Sequence, residues 1–204
     1  MKQAIDVVLL TSPQVESLAI KLNRSIIAEF GETIVLNPKN TIPHITLAMG
    51  CVEEKKLGKI CGILRRTALK YKRLDIVIQK IYSRPLPGGE LVTGFKVERS
   101  KTVYSLHQDI FKSLMPFLSY SARKRMFFKP HGIDPVTPKL LNRFRKYGSL
   151  ANYFPHITLG IGEWKGRQIE KPARFKASKL ALCRLGNYCT CKREICAFHL
   201  RRSS

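Results

Sequence analysis

Two short segments of this chain carry histidine and threonine in the same order and at the same spacing. Residues 43–50 read Pro-His-Ile-Thr-Leu-Ala-Met-Gly and residues 155–162 read Pro-His-Ile-Thr-Leu-Gly-Ile-Gly, so six of the eight positions are identical. Packing in a core would explain the repeated isoleucine and leucine, but it gives no reason for a repeated histidine. The repeat therefore marks four candidate catalytic residues: His44, Thr46, His156 and Thr158.

The spacing within each motif decides which side chains lie together. Proline favours an extended backbone at the residue before it, and alternate side chains of a strand share one face. Histidine and threonine at positions i and i+2 therefore point the same way, while isoleucine and leucine point to the other face. Two such strands side by side would line one cleft with two imidazoles and two hydroxyls.

These groups match the requirements of phosphodiester cleavage. One neutral imidazole takes a proton from the attacking oxygen and one imidazolium protonates the leaving oxygen, and a histidine pKa near neutrality lets both forms exist. The threonine hydroxyls donate hydrogen bonds to the non-bridging oxygens, where charge gathers in the transition state. Chemistry of this kind requires no metal ion.

Similar elements precede each motif. In the first half, apolar residues predict a strand at 4–10 and a helix over 15–30. In the second half, the same reasoning predicts a strand at 91–97 and a helix over 103–117. His107 lies on the apolar stripe of that second helix, so we expect it to be a hydrogen-bonded core histidine.

Helices and antiparallel strands in two similar units indicate an α+β fold with a duplicated architecture. We expect one catalytic domain over residues 1–204, made of two pseudo-symmetric repeats at about 1–88 and 89–204. The chain is predicted to end in a hairpin with strands at 179–185 and 193–200.

The charge of the chain is strongly positive, with 37 Lys and Arg against 14 Asp and Glu, or +23. A field of that sign attracts polyanions, and nucleic acid is the commonest large one in cells. An anionic membrane surface is one alternative, and a merely solubilising surface is another.

Residues 120–147 combine eight basic residues and five aromatic ones with a single acidic residue. Phosphate contacts together with base stacking are how proteins hold single-stranded nucleic acid. A solvated basic face above buried aromatic rings is the alternative interpretation. The candidate RNA-binding residues are Arg123, Lys124, Arg125, Lys129 and, just before the second motif, Tyr153.

Nothing in the sequence indicates export from the cytoplasm. Asp6 interrupts the apolar start, as in a strand and unlike a signal peptide, and no run approaches the roughly 20 apolar residues that cross a bilayer. The six cysteines are therefore expected to be reduced. Cysteines clustered between 183 and 196 lack the paired C-x-x-C knuckles of zinc modules, so we interpret them as small strand residues. No metal or other cofactor is expected.

The two Pro-His-Ile-Thr-Leu segments resemble the paired His-x-Thr motifs of the two-histidine (2H) phosphoesterase superfamily, which includes 2′–5′ RNA ligases and cyclic nucleotide phosphodiesterases. The resemblance spans nearly the whole chain. It implies a bilobal α+β fold in which two antiparallel sheets line a central cleft and helices lie outside. It also implies attack on 2′,3′-cyclic phosphates or related 2′-linked esters, with His44, Thr46, His156 and Thr158 at the catalytic positions.

One departure from that family lies in the first strand. Many relatives carry an aromatic residue there that stacks on a base, whereas this chain has Ile5-Asp6-Val7-Val8. Tyr153 and Phe154 are candidate substitutes, and aromatic packing at the start of a strand is the alternative.

We therefore expect a metal-independent RNA or nucleotide phosphoesterase that acts on 2′,3′-cyclic phosphate or 2′–5′ linkages. The expected protein is a cytoplasmic monomer with no membrane partner. A 2′–5′ RNA ligase would run the same chemistry in reverse. A phosphate-binding module without turnover and a basic RNA chaperone are the alternatives outside catalysis, and turnover of cyclic nucleotides would distinguish them.

Overall fold

The strands of the protein form two antiparallel sheets. The computed structural model describes residues 1–39 and 41–202. Its strands, in chain order, are β1 (Lys2–Leu10), β2 (His44–Glu53), β3 (Leu74–Pro85), β4 (Leu91–Val97), β5 (His156–Ile161), β6 (Ala173–Ala177), β7 (Lys179–Leu185) and β8 (Cys191–His199). One sheet has the order β2-β1-β7-β8 and the other β5-β4-β3-β6.

The principal helices are α1 (Pro13–Phe30), α2 (Leu57–Lys70), α3 (Lys101–Leu114) and α4 (Val136–Tyr147). Two of them begin at a serine N-cap. Ser12 accepts a hydrogen bond from the Val15 N–H at the start of α1, and Ser100 accepts one from the Val103 N–H at the start of α3. Such caps satisfy backbone donors that the first helical turn leaves without partners.

Each sheet takes strands from both predicted repeats. Strand β3 lies in the first half of the chain but pairs with β4 and β6 of the second. Strand β7 lies in the second half but pairs with β1 of the first. The α+β fold with two antiparallel sheets is thus confirmed. The predicted boundary between the repeats, at about residue 88, does not separate one sheet from the other.

Buried Asn23 ties helix α1 to the second motif strand. Its side-chain amide donates to the carbonyls of Ile34 and Leu159, both at 2.7 Å, and its oxygen accepts from the Leu36 N–H at 2.9 Å. Gly160 favours the close approach of α1 to β5, since a Cβ there would lie 3.0 Å from the Ile26 side chain, a tight contact. This packing fixes β5, which begins with His156.

The cysteines do not all remain reduced, as the sequence led us to expect. Helix α2 packs on β8 and brings the Cα atoms of Cys61 and Cys196 within 6.4 Å, where a disulfide joins them. The expectation is wrong for this pair. Cys183 and Cys191 are free, buried residues of β7 and β8, in agreement with their interpretation as small residues on the strands of a hairpin. In the described ranges, no helix is long and apolar enough to cross a membrane.

Candidate active site

The four residues of the repeated motifs line one cavity. Strands β2 and β5 are edge strands of their sheets, and each begins at the histidine of its motif. His44, Thr46, His156 and Thr158 all contribute to the walls of a cavity of about 500 Å³ between the sheets. The inward face of each strand thus carries histidine and threonine at i and i+2, as their alternation predicts.

Both imidazoles are held by the same backbone contact. His44 Nδ1 lies 2.7 Å from the Ile42 carbonyl oxygen, and His156 Nδ1 lies 2.9 Å from the Phe154 carbonyl oxygen. A carbonyl only accepts hydrogen bonds, so Nδ1 carries the proton and donates in both residues. The neutral form of each ring therefore keeps its lone pair on Nε2, which is the nitrogen available for proton exchange.

Asp6 is the part of the site that the sequence did not reveal. Its side chain on β1 is fully buried, and its Oδ2 lies 3.5 Å from His44 Nε2. Thr46 Oγ1 donates to the same oxygen at 2.6 Å. Burial raises the pKa of the Asp6 carboxyl, and the contacts with His44 and Thr46 oppose that rise. The signal in the sequence was one charged residue within the apolar stretch 4–10 that predicted the strand.

His156 has different neighbours. The Tyr82 ring lies edge-on to it with centroids 6.2 Å apart, and Phe154 lies 5.8 Å away. Burial, reinforced by the positive charge of Arg84, lowers the pKa of His156 to about 4. This imidazole is therefore neutral near pH 7, and the two identical motifs have unequal electrostatic surroundings.

The threonines are also unequal. Thr46 already donates its hydroxyl proton to Asp6. Thr158 also lines the cavity, and its hydroxyl has no hydrogen-bond partner among the residues that the structure describes. Thr158 is therefore free to donate to a ligand in the cavity, whereas Thr46 would first have to leave Asp6.

The remaining walls of the cavity are apolar and basic. Ile34, Leu36 and the segment Pro85–Pro87 are apolar residues of its lining, and Arg84 and Arg143 supply positive charge. Of the described residues that line it, none is acidic. The cavity therefore suits a ligand with both an anionic group and a flat or apolar group.

The candidate stacking residues differ in their exposure. Tyr153 lines the cavity but is only 4% exposed, because its ring stacks on His107 with centroids 3.8 Å apart. Its hydroxyl donates to the Thr46 carbonyl at 3.0 Å. Tyr153 is therefore a packed aromatic residue, the alternative considered from the sequence, and its hydroxyl holds β2 at Thr46. Phe154 is half-buried, and the Arg84 guanidinium lies 5.0 Å from its ring centroid, so Phe154 is the aromatic residue better placed for stacking.

The basic candidates lie outside this cavity. Their side chains are exposed, and the structure does not bring them to the motif residues: Arg123, Lys124, Arg125 and Lys129. Phe127, in the same segment, is fully buried. Further along the segment, Arg143 and Tyr147 do line the cavity, with the guanidinium 4.5 Å from the ring centroid. Helix α4, rather than the 123–129 stretch, therefore contributes to the site.

No family model and no curated protein matches the sequence. Solved structures do match the fold. TT0787 of Thermus thermophilus is similar with a TM-score of 0.63 and 13% identity, over 99% of this chain and 100% of that one. LigT of E. coli complexed with NADP+ has a TM-score of 0.53 and 12% identity, over 98% of each chain. LigT complexed with ATP has a TM-score of 0.53 and 12% identity, over 99% of this chain and 100% of that one. At such identities the likeness establishes the fold, which is the one that the sequence resemblance implied.

Proposed function

We propose that this protein is a 2H-type phosphoesterase that opens 2′,3′-cyclic phosphates or cleaves 2′–5′ linkages of RNA or nucleotides, without a metal cofactor. The observation that carries the proposal is the pair of imidazoles lining one cavity, each with Nδ1 bonded to a backbone carbonyl. Their unequal surroundings support different roles for the two rings.

In the proposed reaction, His156 is the general base. Its lowered pKa keeps the ring neutral near pH 7, so Nε2 can take a proton from the attacking water. The water oxygen bonds to phosphorus and the bond from phosphorus to the 3′ oxygen breaks. His44, which forms an ion pair with Asp6 when it is an imidazolium, gives its Nε2 proton to the leaving oxygen. The products are a 2′-phosphate and a free 3′ hydroxyl.

The other residues of the cavity are proposed to hold the phosphate and the base. Thr158 donates to a non-bridging oxygen, where a preorganised donor stabilises the growing charge. Arg84 and Arg143 balance the charge of the phosphate. Phe154, with Arg84 across its face, provides the stacking surface that the first strand lacks.

Binding of nucleotides is supported by the structural neighbours. LigT is complexed with NADP+ in one structure and with ATP in another. We extend nucleotide binding to this chain because its cavity combines apolar walls with basic groups. For longer RNA, we propose that Arg123, Lys124, Arg125 and Lys129 contact the backbone beyond the cavity, since the net charge of +23 favours a polyanion.

Three expectations from the sequence remain proposals: a monomer, a cytoplasmic location without a membrane partner, and a duplication of residues 1–88 in 89–204. The equivalent roles of β2 and β5 support the duplication. The Cys61–Cys196 disulfide is unusual for the cytoplasm, where thiols are normally kept reduced.

The test is a substrate panel in EDTA. The protein is incubated with the four 2′,3′-cyclic mononucleotides, an RNA that ends in a cyclic phosphate, and a 2′–5′-linked dinucleotide. Phosphorus NMR then maps the position of the phosphate in each product. We expect ring opening to a 2′-phosphate at the same rate with and without EDTA.

The other outcomes have distinct meanings. Binding of cyclic nucleotides without turnover would identify a binding module. Joining of RNA ends to a 2′–5′ bond would show that ligation is the favoured direction. Turnover that is lost in EDTA would contradict metal-independent catalysis.

A further inference from the structure

His44 also belongs to a second set of polar groups. Asp6 of β1, His44 of β2 and Cys191 of β8 place one ligand atom each within 4.8 Å of one another. The segment before His44 is tied to the same place, because the Ile42 N–H donates to the Cys191 carbonyl at 3.3 Å. Three strands of one sheet therefore bring a carboxylate, an imidazole and a thiol together.

The Asp6 carboxylate is incompletely satisfied. The side chain is fully buried, Oδ2 accepts from Thr46, and Oδ1 has no hydrogen-bond partner in the described part of the chain. Leaving a buried carboxylate oxygen without a donor costs free energy. A cation at this place would supply the missing partner, and this observation is independent of the proximity of the three residues.

The chemical types of the ligands select the metal. Imidazole nitrogen, thiolate sulfur and carboxylate oxygen are the ligands of Zn²⁺, at about 2.0–2.3 Å in tetrahedral geometry. Mg²⁺ and Ca²⁺ prefer sets made of oxygen alone. Bonds of that length place tetrahedral ligand atoms roughly 3–4 Å apart, so the atoms of the group that lie farthest apart need to approach by about 1–2 Å.

We propose that Asp6, His44 and Cys191 bind Zn²⁺, and that the bound ion reversibly inhibits the protein. Zinc binds the Nε2 lone pair of neutral His44 and the thiolate of Cys191, so the Cys191 thiol releases its proton and His44 can no longer take one up at Nε2. His44 then has no proton to give to a leaving oxygen. Three protein ligands leave a fourth tetrahedral position, and because His44 lines the cavity, a water or phosphate oxygen can reach the ion from that side.

Cobalt provides a readout that does not depend on activity. Co²⁺ is titrated into the full chain with its free thiols reduced. We expect a thiolate-to-cobalt charge-transfer absorption and strong visible bands of a tetrahedral site, both removed by stoichiometric Zn²⁺. Cys51→Ser is the matched control, because Cys51 is a free, buried thiol of the same sheet that lies outside the group. This variant should keep the wild-type spectrum.

The ligand variants test the assignment. Cys191→Ser should abolish the charge-transfer band. It should also weaken Zn²⁺ binding by more than roughly 100-fold, since even losing a residue that only orients a ligand costs about 10- to 100-fold. Asp6→Asn, nearly isosteric, should weaken binding while the fold persists, as judged by circular dichroism. A charge-transfer band that survives in Cys191→Ser, or no band in the wild type, would overturn the site.

The proposed inhibition by Zn²⁺ rests on the proposed function, and a separate experiment tests it. Stoichiometric Zn²⁺ should reduce cyclic nucleotide turnover at least 10-fold, and EDTA should restore it. Turnover that stays unchanged while the cobalt spectrum forms would refute inhibition and leave the metal site standing. If turnover is absent in every condition, the proposed function fails and the spectrum alone decides the metal site.

Discussion

Acidification should destabilise this protein, and buried His107 should account for a defined part of the loss. The ring is fully buried in α3, its Nδ1 donates to the Leu47 carbonyl at 2.7 Å, and its Nε2 accepts from the Leu150 N–H at 2.8 Å. This arrangement requires the neutral ring, which confirms the core histidine predicted from the sequence. Burial lowers the pKa of His107 from 6.5 to about 4.

The sign and size of the effect follow from proton linkage. Between about pH 6.5 and pH 4 the unfolded chain binds a proton at this histidine that the folded chain does not, so stability falls as the pH falls. The full difference amounts to about 3.5 kcal/mol, at about 1.4 kcal/mol for each unit by which the pKa is lowered. Roughly 2 kcal/mol of it should be lost between about pH 7 and pH 4.5.

The assay is urea unfolding of the wild type, His107→Leu and His131→Leu at about pH 7 and pH 4.5. His107→Leu leaves the buried Leu47 carbonyl and the half-buried Leu150 N–H without this partner and should be less stable by roughly 2–5 kcal/mol at pH 7. Its further loss on acidification should be about 2 kcal/mol smaller than that of the wild type. His131 is exposed, so its variant should respond to pH as the wild type does. Equal losses in His107→Leu and the wild type would refute the reasoning.

Three further changes have distinct expected outcomes. Asn23→Ala should lower the free energy of unfolding in urea by roughly 3–5 kcal/mol, because three buried backbone groups lose their partner; a loss below about 1 kcal/mol would contradict this. Phe154→Ala should raise KM for cyclic mononucleotides about 10- to 100-fold with little change in kcat, as loss of base stacking does; an unchanged KM would exclude stacking there. Replacing Arg123, Lys124 and Arg125 by Ala should raise KM for cyclic-phosphate-ended RNA and flatten its salt dependence while mononucleotide kinetics stay the same; parental RNA kinetics at every salt concentration would exclude these contacts.

Local patterns predicted most of the elements. The predicted strand at 91–97 coincides with β4, and the predicted hairpin is close to β7 and β8. The sequence did not predict helix α4, because basic residues and Pro138 interrupt its apolar positions. In the fold, packing of its buried residues stabilises the helix. The sequence left that segment open between an RNA-binding surface and a solvated basic face above buried aromatic rings.

The sequence predicted the reactive groups of the site but not their surroundings. The orientation of His44 with Thr46 depends on strand alternation alone, which is a local property. The neighbours that make the two histidines unequal come from distant parts of the chain, with Asp6 on a paired strand and Arg84 near the end of β3. Asp6 reaches His44 through the pairing of β1 with β2, and Arg84 reaches His156 because β3 joins the sheet of β4 and β5. No local pattern encodes either pairing.

The central claim is that two imidazoles act on one phosphate. The most direct test measures ring opening of a 2′,3′-cyclic mononucleotide by phosphorus NMR for the wild type, His44→Ala and His156→Ala, with His131→Ala as an exposed control outside the cavity. Each motif variant should lose roughly 10²- to 10⁴-fold in kcat, as general acid–base groups do, while the control keeps the wild-type rate. A variant of either motif histidine that retains nearly the full rate would contradict the account.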